Sequence, residues 1–363
     1  MHWIALAVVF SLCTTLCAAD GPAVLRHIVV YKEAGRYGGW PANHGIWSWG
    51  NEIVAGFSAA YYQKKAADVH QYDSSKPEEP RLARSLDGGE TWTIEAPPSL
   101  RPPEQGGAKT TSLREPMDFL HTGFAMTIRF TDTNQGPSRL FYSYDRCKTW
   151  KGAYEFPLLG QLGIAARTDY IVNGHRDAFV FLTASKKNGK EGRPMCARTT
   201  DGGLSWKFVS WIGEEPAGFA IMPSTVRLSA DRMITAVRVK EDQRHDAIDL
   251  YGSAANGAHW QFLNRPVPST GGHGGNPPSM IRLKDGRICL TYGYRGEPYR
   301  ICARISKDEG SAWSEEIVLR TGAAWELGYT RTVQRPDGKI VTVYYLAEHP
   351  DTERIIAATI WNP

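Results

Sequence analysis

The chain has 363 residues, 42% of them hydrophobic and 22% charged, enough apolar material for a sizeable core and too much for a disordered polymer. A formal charge of +4, with no basic run interleaved with aromatics, excludes nucleic acid as the expected partner.

The chain opens on MHWIALAVVFSLCTTLCAAD, whose apolar stretch from Trp3 to Leu16 is short for a membrane span. Despite lacking Lys or Arg ahead of it, it reads as a signal peptide of residues 1–19, cleaved near Ala19. Residues 20–363 are then expected to form a single secreted or periplasmic domain, with no later stretch apolar enough to cross a membrane. Cys13 and Cys17 leave with the leader. Cys147, Cys196, Cys289 and Cys302 remain at spacings that fit no zinc pattern, and pairing of Cys289 with Cys302 and buried free thiols are both open.

The strand-like HIVVYK (27–32) comes next, then GGWPANHG (38–45) with Trp40 and His44, and YYQKKAADVHQYD (61–73) with Asp68, His70 and Asp73. SLDGGETW (85–92) follows, with an acid beside two glycines that suits either chemistry or a turn. Its relatives decide between them. SYDRCKTW, TTDGGLSW, SAANGAHW and SKDEGSAW end at Trp150, Trp206, Trp260 and Trp313, so the five tryptophans from Trp92 are separated by 58, 56, 54 and 53 residues. Five copies at so regular a period mark a repeat architecture. The acid accepts hydrogen bonds from turn amides, the glycines supply positive φ, and the tryptophan wedges between sheets. Ala255 stands where the fourth acid is expected, so that copy keeps the turn without chemistry.

Each repeat of about 55 residues holds β-rich runs without helical periodicity; SMIRL, RICLTYGY, RICARIS and EEIVLR of the fifth repeat give four strands. That is a propeller blade. A sixth unit, from TRTVQ to RIIAATIW, lacks the turn and one strand, which HIVVYK can supply to close the ring. The fold class is all-β: a six-bladed β-propeller with four-stranded antiparallel blades. Tight turns such as KDG (284–286) and PDG (336–338) share one face with the repeated boxes. The opposite face collects the longer segments, including TGGHGGNPP (270–278) with His273 and Asn276, and WELGYTR (325–331) with Glu326, Tyr329 and Arg331.

The boxes, of the form S-x-D-x-G-x-T-W, and the six units resemble the Asp-box propellers of the sialidase (neuraminidase) superfamily over essentially the whole mature chain. The resemblance implies a tyrosine nucleophile paired with a glutamate, an aspartate acid/base and three arginines gripping the substrate carboxylate. Tyr329 lies eight residues before Asp337, as the family tyrosine does before its last-blade D-G turn. Arg238 matches the fourth-blade arginine, and Arg295 or Arg300 the fifth. Two positions depart from the pattern. The first-blade R-I-P has become GGWP, with Gly39 at the arginine position and Arg36 three residues earlier, and the glutamate position holds Met222 or Pro223. The equivalent fifth-blade position is Pro277, which leaves Glu326 as a substitute. The acid/base aspartate sits in the first-blade loop, where Asp73 is the candidate and Asp68 the second choice.

The leading expectation is a sialidase-like (exo-α-sialidase-type) glycoside hydrolase acting on a glycan with a carboxylate. Tyr329 is its nucleophile, Asp73 or His70 handles the proton, and Arg238 with Arg295 binds the acid. The wider candidate site takes in Arg36, Trp40, His44, His273, Asn276, Arg300, Arg331 and Glu326. A polysaccharide lyase using a His or Tyr base, and a non-catalytic glycan-binding propeller, are the alternatives. The sequence carries no cofactor or metal signature.

Overall fold

The structure is a computed structural model that describes residues 22–66, 69–242 and 245–363; the signal-peptide reading of residues 1–19 and the candidate Asp68 lie outside these. Six antiparallel sheets follow one another round a ring. The fourth blade shows the plan: Phe219–Arg227, Met233–Lys240, Asp246–Ser253 and Gln261–Val267 pair in sequence order from the axis outward. In the first and third blades the inner strand is split in two, Arg36–Gly39 with Ile46–Trp49 and Ile164–Ala165 with Tyr170–Gly174. The second blade departs from the expected four strands: it has Ala125–Phe130, Ser138–Ser143 and Lys151–Phe156, with irregular chain before them.

The ring closes as the sequence implies. Ala23–Tyr31 lies antiparallel to Arg354–Asn362 and supplies the outer strand of the sixth blade, running from Ala23 opposite Asn362 to Tyr31 opposite Ile356. Core residues fill the gaps between neighbouring blades; Phe57 of the first and Val343 and Ile356 of the sixth belong to one fully buried cluster. Such burial contributes roughly 1.5–3 kcal/mol for each large side chain.

The repeated boxes are structural. Asp87 accepts bonds from Ser85 Oγ at 2.8 Å, Glu90 N at 3.0 Å and Thr91 N at 2.9 Å. Burial would raise its pKa, but those donors outweigh burial and hold it down at about 2. The box tryptophans wedge against the preceding blade: Trp150 meets Trp47 edge-on at 5.5 Å and Trp206 meets Phe156 at 5.3 Å. All four described cysteines are buried and free; Cys289 faces Ile305 across the strands and Cys302 faces Tyr292, so they are not placed to pair.

Candidate functional site

On the loop face a cavity of about 400 Å³ opens between the first two blades and the axis. Of the sequence candidates, Trp40, His44, His70 and Tyr329 line it. Backbone on this face is held in unusual conformations. Trp40, Met222, His273 and Tyr329 all have φ between 49° and 55°, a region that residues with a Cβ enter at a cost. Such strain persists only where the surroundings over-determine it, and here the surroundings are visible. Asn276, fully buried, accepts from Tyr329 N at 2.8 Å and donates to Leu327 O at 2.8 Å, clamping the turn that aims the tyrosine. Gly328 packs on the same amide, where a Cβ would collide.

Tyr329 Oη accepts a hydrogen bond from Arg238 Nη1 at 3.1 Å. Arg295 lies 5.5 Å from the centre of its ring. Burial favours the neutral phenol, but the charges of Arg238, Arg295 and Arg167 outweigh it and set the pKa below the ordinary tyrosine value. Both of the nearer arginines are otherwise engaged. Arg238 donates to Gly274 O through Nε and Nη2, at 2.9 and 2.6 Å. Arg295 donates to His273 O at 3.2 Å and to Tyr345 Oη at 3.1 Å. Both therefore act on the tyrosine while being tied to loop carbonyls and to Tyr345. Met222 occupies the position of the expected glutamate, with its sulfur 3.8 Å from Arg238 Nη1.

Across the cavity, His70 Nδ1 lies 2.6 Å from Glu326 Oε1. Glu326 is completely buried, yet it is surrounded by donors: Tyr37 Oη at 2.9 Å, Gln71 N at 3.2 Å and Arg354 Nη2 at 2.9 Å. Burial pushes its pKa up, but His70, Arg354 and Tyr37 outweigh burial and keep it below the usual carboxylate range. With Glu326 ionised and able only to accept, His70 Nδ1 is the donor in this bond. Glu326 is therefore a positioning residue behind His70. The His70 ring is fixed further by Trp325 at 5.2 Å and the edge of Trp40 at 5.8 Å.

A carboxyl group that the sequence reading passed over completes the cavity. Glu78, in the loop leading into the strand Glu79–Ser85, lines it beside Ser58 and His70. The residue is exposed as a whole, but its carboxyl is crowded by the cavity wall. That desolvation raises its pKa above the ordinary glutamate value, against the weaker pull of Ser58 and His70. The signal available in the sequence was KPEEP (76–80), two acids held between prolines just after the histidine loop.

The BNR repeat-like domain family matches residues 131–342. The chain belongs to the BNR repeat-like domain family. No curated protein matches it. Among solved structures, a Dyadobacter fermentans protein of unknown function is similar at 20% identity, with a TM-score of 0.73 over 94% of this chain and 99% of that one. A Penicillium chrysogenum α-L-arabinanase complexed with arabinobiose is similar at 14% identity, with a TM-score of 0.59 over 93% of this chain and 98% of that one. A Trypanosoma rangeli sialidase in complex with 2,3-difluorosialic acid is similar at 13% identity, with a TM-score of 0.58 over 87% of this chain and 53% of that one. This BNR-repeat chain thus spans about half the length of that sialidase; at these identities the likeness carries the fold.

Several sequence candidates lie elsewhere in the BNR-repeat propeller. Asp73 accepts from Ser75 N at 3.0 Å and Ser75 Oγ at 2.6 Å and pairs with Lys76, so it holds a surface turn and does not line the cavity. Arg36 bonds Ala59 O, pairs with Glu79 and lies over the Tyr61 ring. Arg300 pairs with Glu316 at 2.6 Å. Arg331 is buried, and bolts the channel by donating to Ala42 O at 2.6 Å and Thr168 O at 2.8 Å. His44 lines the cavity, but its Nε2 meets Ser58 Oγ at 2.9 Å, and burial, with Arg129 and Arg331, pushes its pKa well down, so it stays neutral. His273 stacks flat on Trp325 at 4.5 Å, behind Arg295. Among the described residues no cluster of three or more His, Cys, Asp or Glu is placed to hold a metal, and no helix is long and apolar enough to cross a membrane.

Proposed function

We propose that this BNR-repeat propeller is a glycoside hydrolase acting on an acidic-sugar glycan, with Tyr329 as nucleophile and Glu78 as proton donor. One observation carries the reading: a tyrosine whose phenol is shifted down by arginines shares a single cavity with a carboxyl group shifted up by burial. Opposed shifts of that kind divide nucleophile from acid. Glu78 gives its proton to the leaving oxygen as the glycosidic C–O bond breaks, and Tyr329 Oη, reacting as the phenolate that Arg238 and Arg295 stabilise, forms a bond to the anomeric carbon. Water then attacks that carbon and passes one proton to the Glu78 carboxylate, which breaks the bond to Tyr329, frees the sugar and restores the phenolate. His70, fixed by Glu326, lies beside Glu78 on the proton side. The glycan-acting arabinanase and sialidase among the structural relatives support the class, and the apolar leader extends the proposal to an exported protein.

A second reading has its own observation. Where a carboxylate would accept the tyrosine's proton, Met222 stands, and the phenol meets Arg238 instead. That arrangement suits a base removing the proton next to a uronate carboxylate, with elimination of the glycosidic oxygen. Incubation with sialosides and with uronic-acid glycans, followed by mass spectrometry and ultraviolet absorbance, separates the two. A product carrying added water, absent with Tyr329→Phe, supports hydrolysis. An ultraviolet-absorbing product without that water replaces it with elimination, and no product from any glycan sinks both.

A further inference from the structure

We propose that Arg129 and Arg139 form an oxyanion subsite in the cleft between the first and second blades, taking the carboxylate or sulfate ester of a sugar. That this sugar adjoins the one at Tyr329 rests on the glycosidase reading; the anion site itself rests on the geometry that follows.

Arg129 and Arg139 are direct cross-strand partners in the pairing of Ala125–Phe130 with Ser138–Ser143. Opposite residues project on the same face, and both of these line the cavity. Like charges placed directly opposite destabilise a sheet. Among the described residues no carboxylate lies within ion-pair distance of either guanidinium, whereas Arg84, Arg167, Arg198, Arg265 and Arg300 each have one. The side-chain bond Arg129 makes is a long one, 3.4 Å from Nε to Thr127 Oγ1, and its Nη2 is buried without a partner. Burial, with no acid opposing it, brings its pKa down to about 10. Glu155 lies across from Arg139 on the next strand without forming an ion pair, and Glu78 borders the same space, also without one. A desolvated, unpaired guanidinium is costly unless a ligand brings the missing charge. Two adjacent forks match the planar or tetrahedral oxygens of a carboxylate or sulfate.

The cleft has room for such a ligand. A groove of about 370 Å³ continues outward from the cavity and shares Tyr72, Glu78, Pro102, Phe130 and Arg139 with it. Arg238 bonds Tyr329 and Gly274 O, Arg295 bonds His273 O and Tyr345, and Arg36 and Arg300 are in ion pairs, so in this proposal the anion recognition that the resemblance assigned to the fourth and fifth blades falls to the second.

Calorimetry and thermal melts of the full chain test this with sodium sulfate, sodium glucuronate, glucose, and sodium chloride at matched ionic strength. Sulfate or glucuronate is expected to bind and to raise the melting temperature beyond chloride, with glucose inert; the stronger of the two identifies sulfate ester or carboxylate as the source. Arg129→Gln and Arg139→Gln are each expected to weaken binding by about tenfold or more, the loss of one charge-assisted hydrogen bond. Their ligand-free melting temperatures should equal or exceed that of the parent, since repulsion is relieved, which separates lost binding from lost fold. Failure of both anions to exceed chloride, or an unchanged response in the double variant, overturns the subsite. Binding needs no turnover, so Tyr329→Phe keeps it if the subsite is right, even if no glycan is ever cleaved.

Discussion

His70 Nδ1 and Glu326 Oε1 are 2.6 Å apart, and the other oxygen of the same carboxylate meets Arg354 at 2.9 Å. One buried acid thus serves two partners, one at the cavity and one in the core. Glu326→Gln leaves Arg354 buried and without its counter-charge, and is expected to cost about 3 kcal/mol or more. His70→Ala removes a partly exposed ring and should cost less than about 1.5 kcal/mol while abolishing activity. Urea titrations with unchanged slope would measure both; equal midpoints for the two variants would show that the carboxylate has no structural role.

Tyr329→Phe keeps the ring against Arg295 and Tyr345 and removes the oxygen that Arg238 holds. Turnover is expected to fall by at least about 100-fold with little change in melting temperature, the signature of an interaction used in the reaction and not in the fold. Activity retained within a few-fold would remove Tyr329 from the chemistry.

Glu78 sets a pH dependence whose sign can be worked out. Its folded pKa is raised, so above the ordinary glutamate value the folded state holds a proton that the unfolded state has released. Its contribution to stability is full below that ordinary value and is lost as pH rises through the folded one. Glu78→Gln, neutral throughout, should therefore melt higher than the parent at pH 8 and alike at pH 4, and it should lose turnover. Melting curves between those limits with a constant difference would show that the carboxyl is not desolvated by the cavity.

The worn box offers a gain of stability. Ser253 Oγ still accepts from Gly257 N at 3.0 Å and Trp260 Nε1 still bonds Gly257 O at 3.2 Å, but Ala255 supplies no acceptor. Ala255→Asp restores what Asp87 does in the first blade and should stabilise by about 1 kcal/mol, the net worth of a typical hydrogen bond. A lower melting temperature would mean that the turn has drifted out of register with its siblings.

The repeated turns made the propeller legible, because an acid, a glycine and a tryptophan at fixed offsets answer to local geometry alone. Tyr329 was legible for a related reason: its distance from Asp337 is a matter of one strand. Asp73 and Glu78 show where that reach ends. They are five residues apart in one loop, and only the path of the chain decides that the first caps a surface turn and the second faces the cavity. Arg129 and Arg139 are ten residues apart in sequence, and nothing short of the strand register reveals that they stand opposite one another. Glu326 stands three residues from Tyr329 in sequence, but its direction, toward His70 and Arg354, comes from packing against the first blade.

The closing strand has a consequence for the order of events in making the molecule. Ala23–Tyr31 is the first described strand to be synthesised, and its partner, Arg354–Asn362, is the last. The sixth blade cannot be completed until Arg354–Asn362 has been made, and the pairing joins strands more than 300 residues apart, the kind of contact that forms slowly. Until then one flank of the ring presents an unpaired edge, and Val29, exposed even in the finished strand, lies beside it. The molecule therefore spends its youth open-sided, and any factor that shields a nascent strand has its natural target there.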